Sequence, residues 1–188
     1  MTAPEVLVDL DRAVGSDRLH AWHRFTRGRV TALTATAAGL ELDRFPAAGW
    51  QRELARLVTV PAPTTTPAEP PPSELDLPLE LLLGTGEALR LGREDVAAEL
   101  VRRQGAGLDP VRLRRLHTAC LGRVRAVVSG VGSSGARRVG WVSWILFVDG
   151  WRALTPYASG GTAMVRVHRV EPPWLGVEVA RLLTLVRR

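Results

Sequence analysis

A chain of 188 residues can bury one good core or two small ones that share a sheet. Its 46% apolar and 23% charged residues are ordinary globular composition and exclude general disorder. The net charge of +6 and an isoelectric point near 11.1 raise an arginine-rich nucleic-acid or anion-binding reading. The details weigh against it. All 25 basic residues are arginine, as a GC-rich coding background produces, and no more than two are adjacent, as at Arg102-Arg103, Arg114-Arg115 and Arg137-Arg138. No basic tail is present, and no run mixes aromatic and basic residues as a stacking platform does.

The single cysteine, Cys120, excludes an internal disulfide and a thiolate cluster for zinc. Glu5, Asp9 and Asp11 stand where a signal peptide needs a basic start and an apolar run, and no apolar segment reaches the length of a membrane span. The expectation is a cytoplasmic protein that does not insert into membranes.

In chain order, a strand is expected from residue 6 to 10. Trp22, Phe25 and Gly28 then open a block that recurs as Trp144, Phe147 and Gly150 at an offset of 122. Ala32-Leu33-Thr34 recurs as Ala153-Leu154-Thr155, and Arg44, Glu53, Ala55, Arg56 and Leu57 match Arg169, Glu178, Ala180, Arg181 and Leu182. Leu40 and Leu42 alternate with Glu41 and Asp43 as Val165 and Val167 alternate with Arg166 and His168, the period of a half-buried strand. A helix follows each, with apolar positions at Trp50, Leu54, Leu57 and Val58, and at Leu175, Val179, Leu182, Leu183 and Val186. Residues 137–149 are nearly continuously apolar and predict a central strand covered on both faces.

Residues 61–73 (PAPTTTPAEPPPS) predict a linker without regular structure. Three helices follow at 79–89, 94–103 and 110–120, the last opened by the capping pair Asp109-Pro110. The fold class expected is α+β: duplicated strand-strand-helix units with quasi-two-fold symmetry, a central antiparallel sheet and a three-helix insert. Residues 1–58 form the first unit, 59–74 the linker and 75–188 the second unit.

Little in the sequence argues for catalysis. Gly130-Val-Gly132-Ser-Ser-Gly135 spells a dinucleotide fingerprint, but a strand follows it where a helix must start, so the glycines predict a hairpin loop. His20 and His23 point to opposite faces of a strand and share no metal; His117 and Cys120, at i and i+3 on a helix, lack a third ligand and read as a packed face. The tryptophans read as core, with Trp50 and Trp174 stapling helices to the sheet. No lysine means no Walker-type phosphate loop. The expectation is a non-enzyme with no cofactor, no metal and no small-molecule substrate.

Residues 70–188 resemble the second half of the EspG family, the cytosolic chaperones of actinobacterial type VII secretion. The likeness rests on three short helices after a proline-rich joint, then the strand at 122–130 and the strand carrying Trp141-Val-Ser-Trp144. The segment Asp149-Gly150-Trp151-Arg152-Ala153-Leu154-Thr155-Pro156 follows, then a strand ending Val170-Glu171-Pro172 and a final amphipathic helix. Residues 6–58 resemble the end of the family's first half. Family members are longer, with a helical segment before the first unit's strands that is missing here. The resemblance implies a chaperone that binds a helical secretion substrate, such as a PE–PPE-type or WXG-type pair, and keeps it soluble for export. It also implies that the hairpin tip at Arg12, Ser16, Asp17 and Arg18 reaches toward the substrate. Arg112 and Arg115 lie outside the apolar line of the third helix, where guanidinium forks suit an acidic partner. A second copy of the chain is a further candidate partner.

Overall fold

A computed structural model describes residues 6–61, 74–104, 109–132 and 135–187. The expected linker at 61–73 falls almost wholly outside them. Strands β1 (Val6–Val14), β2 (Asp17–Thr26), β3 (Arg29–Thr36) and β4 (Gly39–Pro46) lead to helix α1 (Trp50–Val58). Strand β5 (Glu74–Pro78) precedes helices α2 (Leu79–Arg90), α3 (Glu94–Gln104) and α4 (Pro110–Thr118). Strands β6 (Gly122–Val131), β7 (Arg137–Phe147), β8 (Gly150–Ser159) and β9 (Thr162–Val170) lead to helix α5 (Pro173–Arg187). The nine strands form one antiparallel sheet in the order β4-β3-β2-β1-β6-β7-β8-β9-β5.

Local chemistry sets these elements. Arg27 and Gly28, with φ of 48° and 77°, make the β2–β3 turn; Gly160 and Gly161, at 55° and 81°, make the β8–β9 turn. Positive φ at both central residues gives a two-residue turn the twist that hairpin strands need. Helix α4 begins as expected: the Asp109 carboxylate accepts from the Val111 N–H at 2.9 Å, and proline fills the first helical position.

The chain divides into two compact units, 1–62 with 122–144 and 170–188, and 63–121 with 145–169. Neither coincides with the 1–58 and 75–188 division expected from sequence. In the first unit, alternate residues of the sheet (Val6, Val8, Leu10, Ala21, Val128 and Trp144 among them) are buried on the side that carries α1 and α5. In the second, Leu77, Leu81, Leu82, Val101, Leu113, Leu116, Phe147, Val165 and Val167 form a core of β5, the end of β7, β9 and the three helices α2–α4.

Three sequence expectations change. Strand β5 was not foreseen; its Leu75 and Leu77 alternate with Glu74 and Asp76 against β9 in the register Leu77↔Val165. Strand β7 is covered on both faces only at its end, where Leu146 and Phe147 are both buried; in its first half Val139 and Trp141 are exposed while Val142 and Trp144 on the other face are buried. Trp22 and Trp144 do not occupy matching environments, being 41% and 0% exposed on opposite faces. The expected two-fold superposition with Trp22 over Trp144 therefore does not hold, since a residue's neighbour in a strand points to the other face. His23 and Trp144 are both buried, and each shares an indole hydrogen bond with the helix that follows its strands.

Candidate functional site

Helices α1 and α5 cover one face of the first unit's sheet; no described element of that unit covers the other. That open face follows from register. Leu7, Asp9 and Asp11 of β1 stand opposite Arg24, Trp22 and His20 of β2, and opposite Ser129, Val127 and Arg125 of β6. Trp22 faces Leu33 of β3, which faces Leu42 of β4, so one row across the sheet reads Leu42, Leu33, Trp22, Asp9, Val127. Large apolar side chains stay in solvent along it. Leu40 is 72% exposed, Leu42 64%, Trp141 58%, Val139 55%, Leu7 42% and Trp22 41%. Isolated exposed leucines are commonplace, but a contiguous set on one face marks an interaction surface. A cleft of about 390 Å³ runs between Leu7, Trp22, Leu33, Val127 and Val139, with Arg137 on its wall.

On the same face, His20 Nε2 lies 2.5 Å from Asp9 Oδ1, and the imidazole stacks on Trp22 with ring centroids 4.0 Å apart. The strand behaves differently on its covered side. His23 Nδ1 accepts the Trp50 indole N–H at 2.7 Å, so Nε2 carries the hydrogen, and no partner meets it among the described residues. Burial lowers the His23 pKa to about 4; the Glu53 carboxylate opposes this shift and Arg56 adds to it. Trp50 also stacks on Phe25, with centroids 5.6 Å apart, so this helix start is stapled to the sheet as expected. Trp174, 50% exposed, is not buried in that way.

Charge is distributed unevenly. Four helical arginines are neutralised locally: Arg56 by Glu53, Arg90 by Glu87, Arg102 and Arg103 by Glu99. On the open face, Arg24, Arg29, Arg44 and Arg137 point outward toward one end, and Arg18, Arg123 and Arg125 toward the other. Only Asp9 and Asp11 oppose them among the described outward positions. Seven arginines against two aspartates give this face +5, in a chain whose total is +6.

Of the residues expected to meet a partner, Ser16, Asp17 and Arg18 form an exposed tip between β1 and β2, and Arg18 donates to the Gly15 carbonyl at 2.6 Å. Arg12 is only 9% exposed: it faces the helix side, donates to the Leu57 carbonyl at 2.9 Å and pairs with Asp17. It holds the base of the tip rather than its surface. Arg112 is exposed, 3.8 Å from Asp109, and Arg115 is half-buried; both lie in the second unit. The sequence reading missed Leu7, Trp22, Val139 and Trp141. Residues 137–142 (RRVGWV) carry no alternation of apolar and polar side chains that would have marked the open side of the strand.

The glycine loop behaves as the hairpin reading requires. The Gly132 N–H donates to the Ala136 carbonyl at 3.0 Å and β7 follows at once. His117 is half-buried, with Nε2 3.1 Å from the Thr85 hydroxyl and its ring over Gly86. Among the described residues, no three histidine, cysteine or acidic side chains gather as metal ligands, and no helix is long and apolar enough to cross a membrane.

No protein-family model matches the sequence, and no curated protein does. Among solved structures, the fold is similar to the Mycobacterium tuberculosis type VII secretion system chaperone EspG5, solved in complex with a PE25–PPE41 dimer, at 15% identity and a TM-score of 0.62. The match covers 99% of this chain and 74% of that one, so what the two share is an EspG-like α+β fold.

Proposed function

We propose that this protein is a cytosolic, non-enzymatic chaperone that binds a helical substrate of type VII secretion, a PE–PPE-like or WXG-type protein or pair, and keeps it soluble for export. The observation that carries this reading is the open apolar face of the first unit. Six strands from β4 to β7 span about 24 Å at ~4.8 Å each, the width of two helices side by side at ~10 Å each. Covering Leu7, Trp22, Leu33, Leu42, Val139 and Trp141 removes apolar area from water, the main driving force for association. The likeness in fold to a chaperone solved with a helical pair supports the same reading. So does the repeated order of four strands and a helix, which fits descent from a duplicated unit.

The test is co-expression with a PE–PPE-type or WXG-type pair, followed by co-purification. Trp22→Glu and Trp141→Glu are expected to abolish capture. Arg18→Glu at the tip and Arg115→Glu on α4 are expected to weaken it, with the exposed Arg18 change leaving stability within about 0.5 kcal/mol. Full capture by both tryptophan variants would remove this face from the proposal.

One observation favours nucleic acid as a second reading: Trp22, Trp141 and His20 share a face with arginines, a platform not visible in the sequence. Asp9 and Asp11 lie on its central strand, where a phosphate backbone would be repelled, and its exposed leucines and valines (Leu7, Leu40, Leu42, Val139) outnumber its two tryptophans. Protein is therefore the preferred occupant.

A further inference from the structure

We infer that the element seated on the open face is acidic: an apolar helical tip flanked by carboxylates, guided in by the arginines at the two ends of the face. This rests on the docking reading above and adds the chemistry by which the partner is selected. The inference comes from the contrast between two populations of arginine. Arg56, Arg90, Arg102 and Arg103 on α1–α3 sit in short ion pairs with carboxylates of their own helix. On the open face, no described carboxylate pairs with Arg29, Arg44, Arg123, Arg125 or Arg137. The central acid that might have served them, Asp9, is held by His20. The face thus concentrates positive charge around an apolar middle, with these five arginines outside any ion pair among the described residues.

Rim charges of this kind act on encounter more than on residence. A surface of one sign raises the association rate of an oppositely charged partner and rejects one of like charge. A partner crest of leucines without acidic flanks would fill the cleft between Trp22 and Val139 but gain nothing from the arginines. A crest flanked by lysines would be repelled.

The experiment uses the intact chain and three labelled probes: a covalently closed helical hairpin with leucines at its tip flanked by glutamates, its twin with lysines for glutamates, and single-stranded oligo-dT. Fluorescence anisotropy and stopped-flow mixing read affinity and association rate. The expected result is at least about tenfold tighter binding of the glutamate hairpin, with an association rate that falls about tenfold between about 50 and 500 mM salt. The double variant Arg44→Glu, Arg137→Glu should lose the preference for glutamate, and Trp141→Ala should lose both hairpins, with circular dichroism confirming the fold of each. Equal binding of the two hairpins, or a preference that survives the double variant, overturns the acidic partner; sensitivity to Trp141→Ala then leaves the docking reading standing. Hairpin binding that ignores Trp22→Ala and Trp141→Ala, or no hairpin binding at all, overturns the docking reading itself. Oligo-dT binding tighter than either hairpin reassigns the face to nucleic acid.

Discussion

His23 should make the fold sensitive to mild acid, in a range that begins well above the ordinary carboxylate values. Its pKa falls from an ordinary 6.5 to about 4 because burial penalises the imidazolium, and its Nδ1 is already engaged as acceptor to Trp50. A folded pKa below the unfolded one means that the unfolded chain takes the proton first. The stabilisation is therefore complete above about pH 6.5 and is lost as pH falls toward about 4, at up to ~1.4 kcal/mol per unit. Between about pH 7.5 and 5 the loss amounts to about 2 kcal/mol, which lowers Tm by roughly 4–8 °C in a protein of this size. The lowered carboxylates Glu53, Asp76 and Asp95 act in the same direction but only below their ordinary values of 4.5, 3.8 and 3.8. Burial also lowers His117, so the comparison must isolate one residue. His23→Gln does so, because the amide oxygen still accepts from Trp50 and cannot titrate. Thermal melts of wild type and variant across this pH range should diverge by that amount, whatever their difference at neutral pH. Parallel curves, or an NMR titration of His23 centred near 6.5, would refute the reasoning.

Three further outcomes are expected. Gly176→Ala should cost about 1–3 kcal/mol in urea denaturation, because its Cβ would stand 2.9 Å from Gln51 Cα and force α1 away from α5. Gly140→Ala should cost less than Gly176→Ala, since its Cβ meets only the movable end of Leu182, at 2.7 Å. Trp144→Phe should lose about 1–2 kcal/mol in urea denaturation, by deleting the indole bond to Glu178 Oε2 at 2.9 Å.

What the sequence made legible was periodicity and punctuation. The helices expected at 79–89, 94–103 and 110–120 appear at Leu79–Arg90, Glu94–Gln104 and Pro110–Thr118, because proline, glycine and Asp109 mark their ends. What it hid was which side of each strand finds a cover. Leu40 and Leu42 keep step in sequence with Val165 and Val167, yet the leucines are 72% and 64% exposed while the valines are buried in the core with α2, α3 and α4. Alternation states that a strand has two faces; it does not state that helices will arrive on both. The candidate site lies in that gap. Leu7, Trp22, Val139 and Trp141 have the composition of a core, and only the three-dimensional arrangement shows that nothing described in their unit covers them.

An empty apolar face is also a hazard, since two copies could bury it against each other. The arginines that ring it work against this, because a second copy brings the same sign of charge to every encounter. Their repulsion reaches ~10 Å at 0.1 M salt but only ~3 Å at 1 M, while salts such as sulfate strengthen apolar association. The unloaded protein should thus be a colloid stabilised by charge: monodisperse at low ionic strength and self-associating as salt rises, the reverse of its response to an acidic partner.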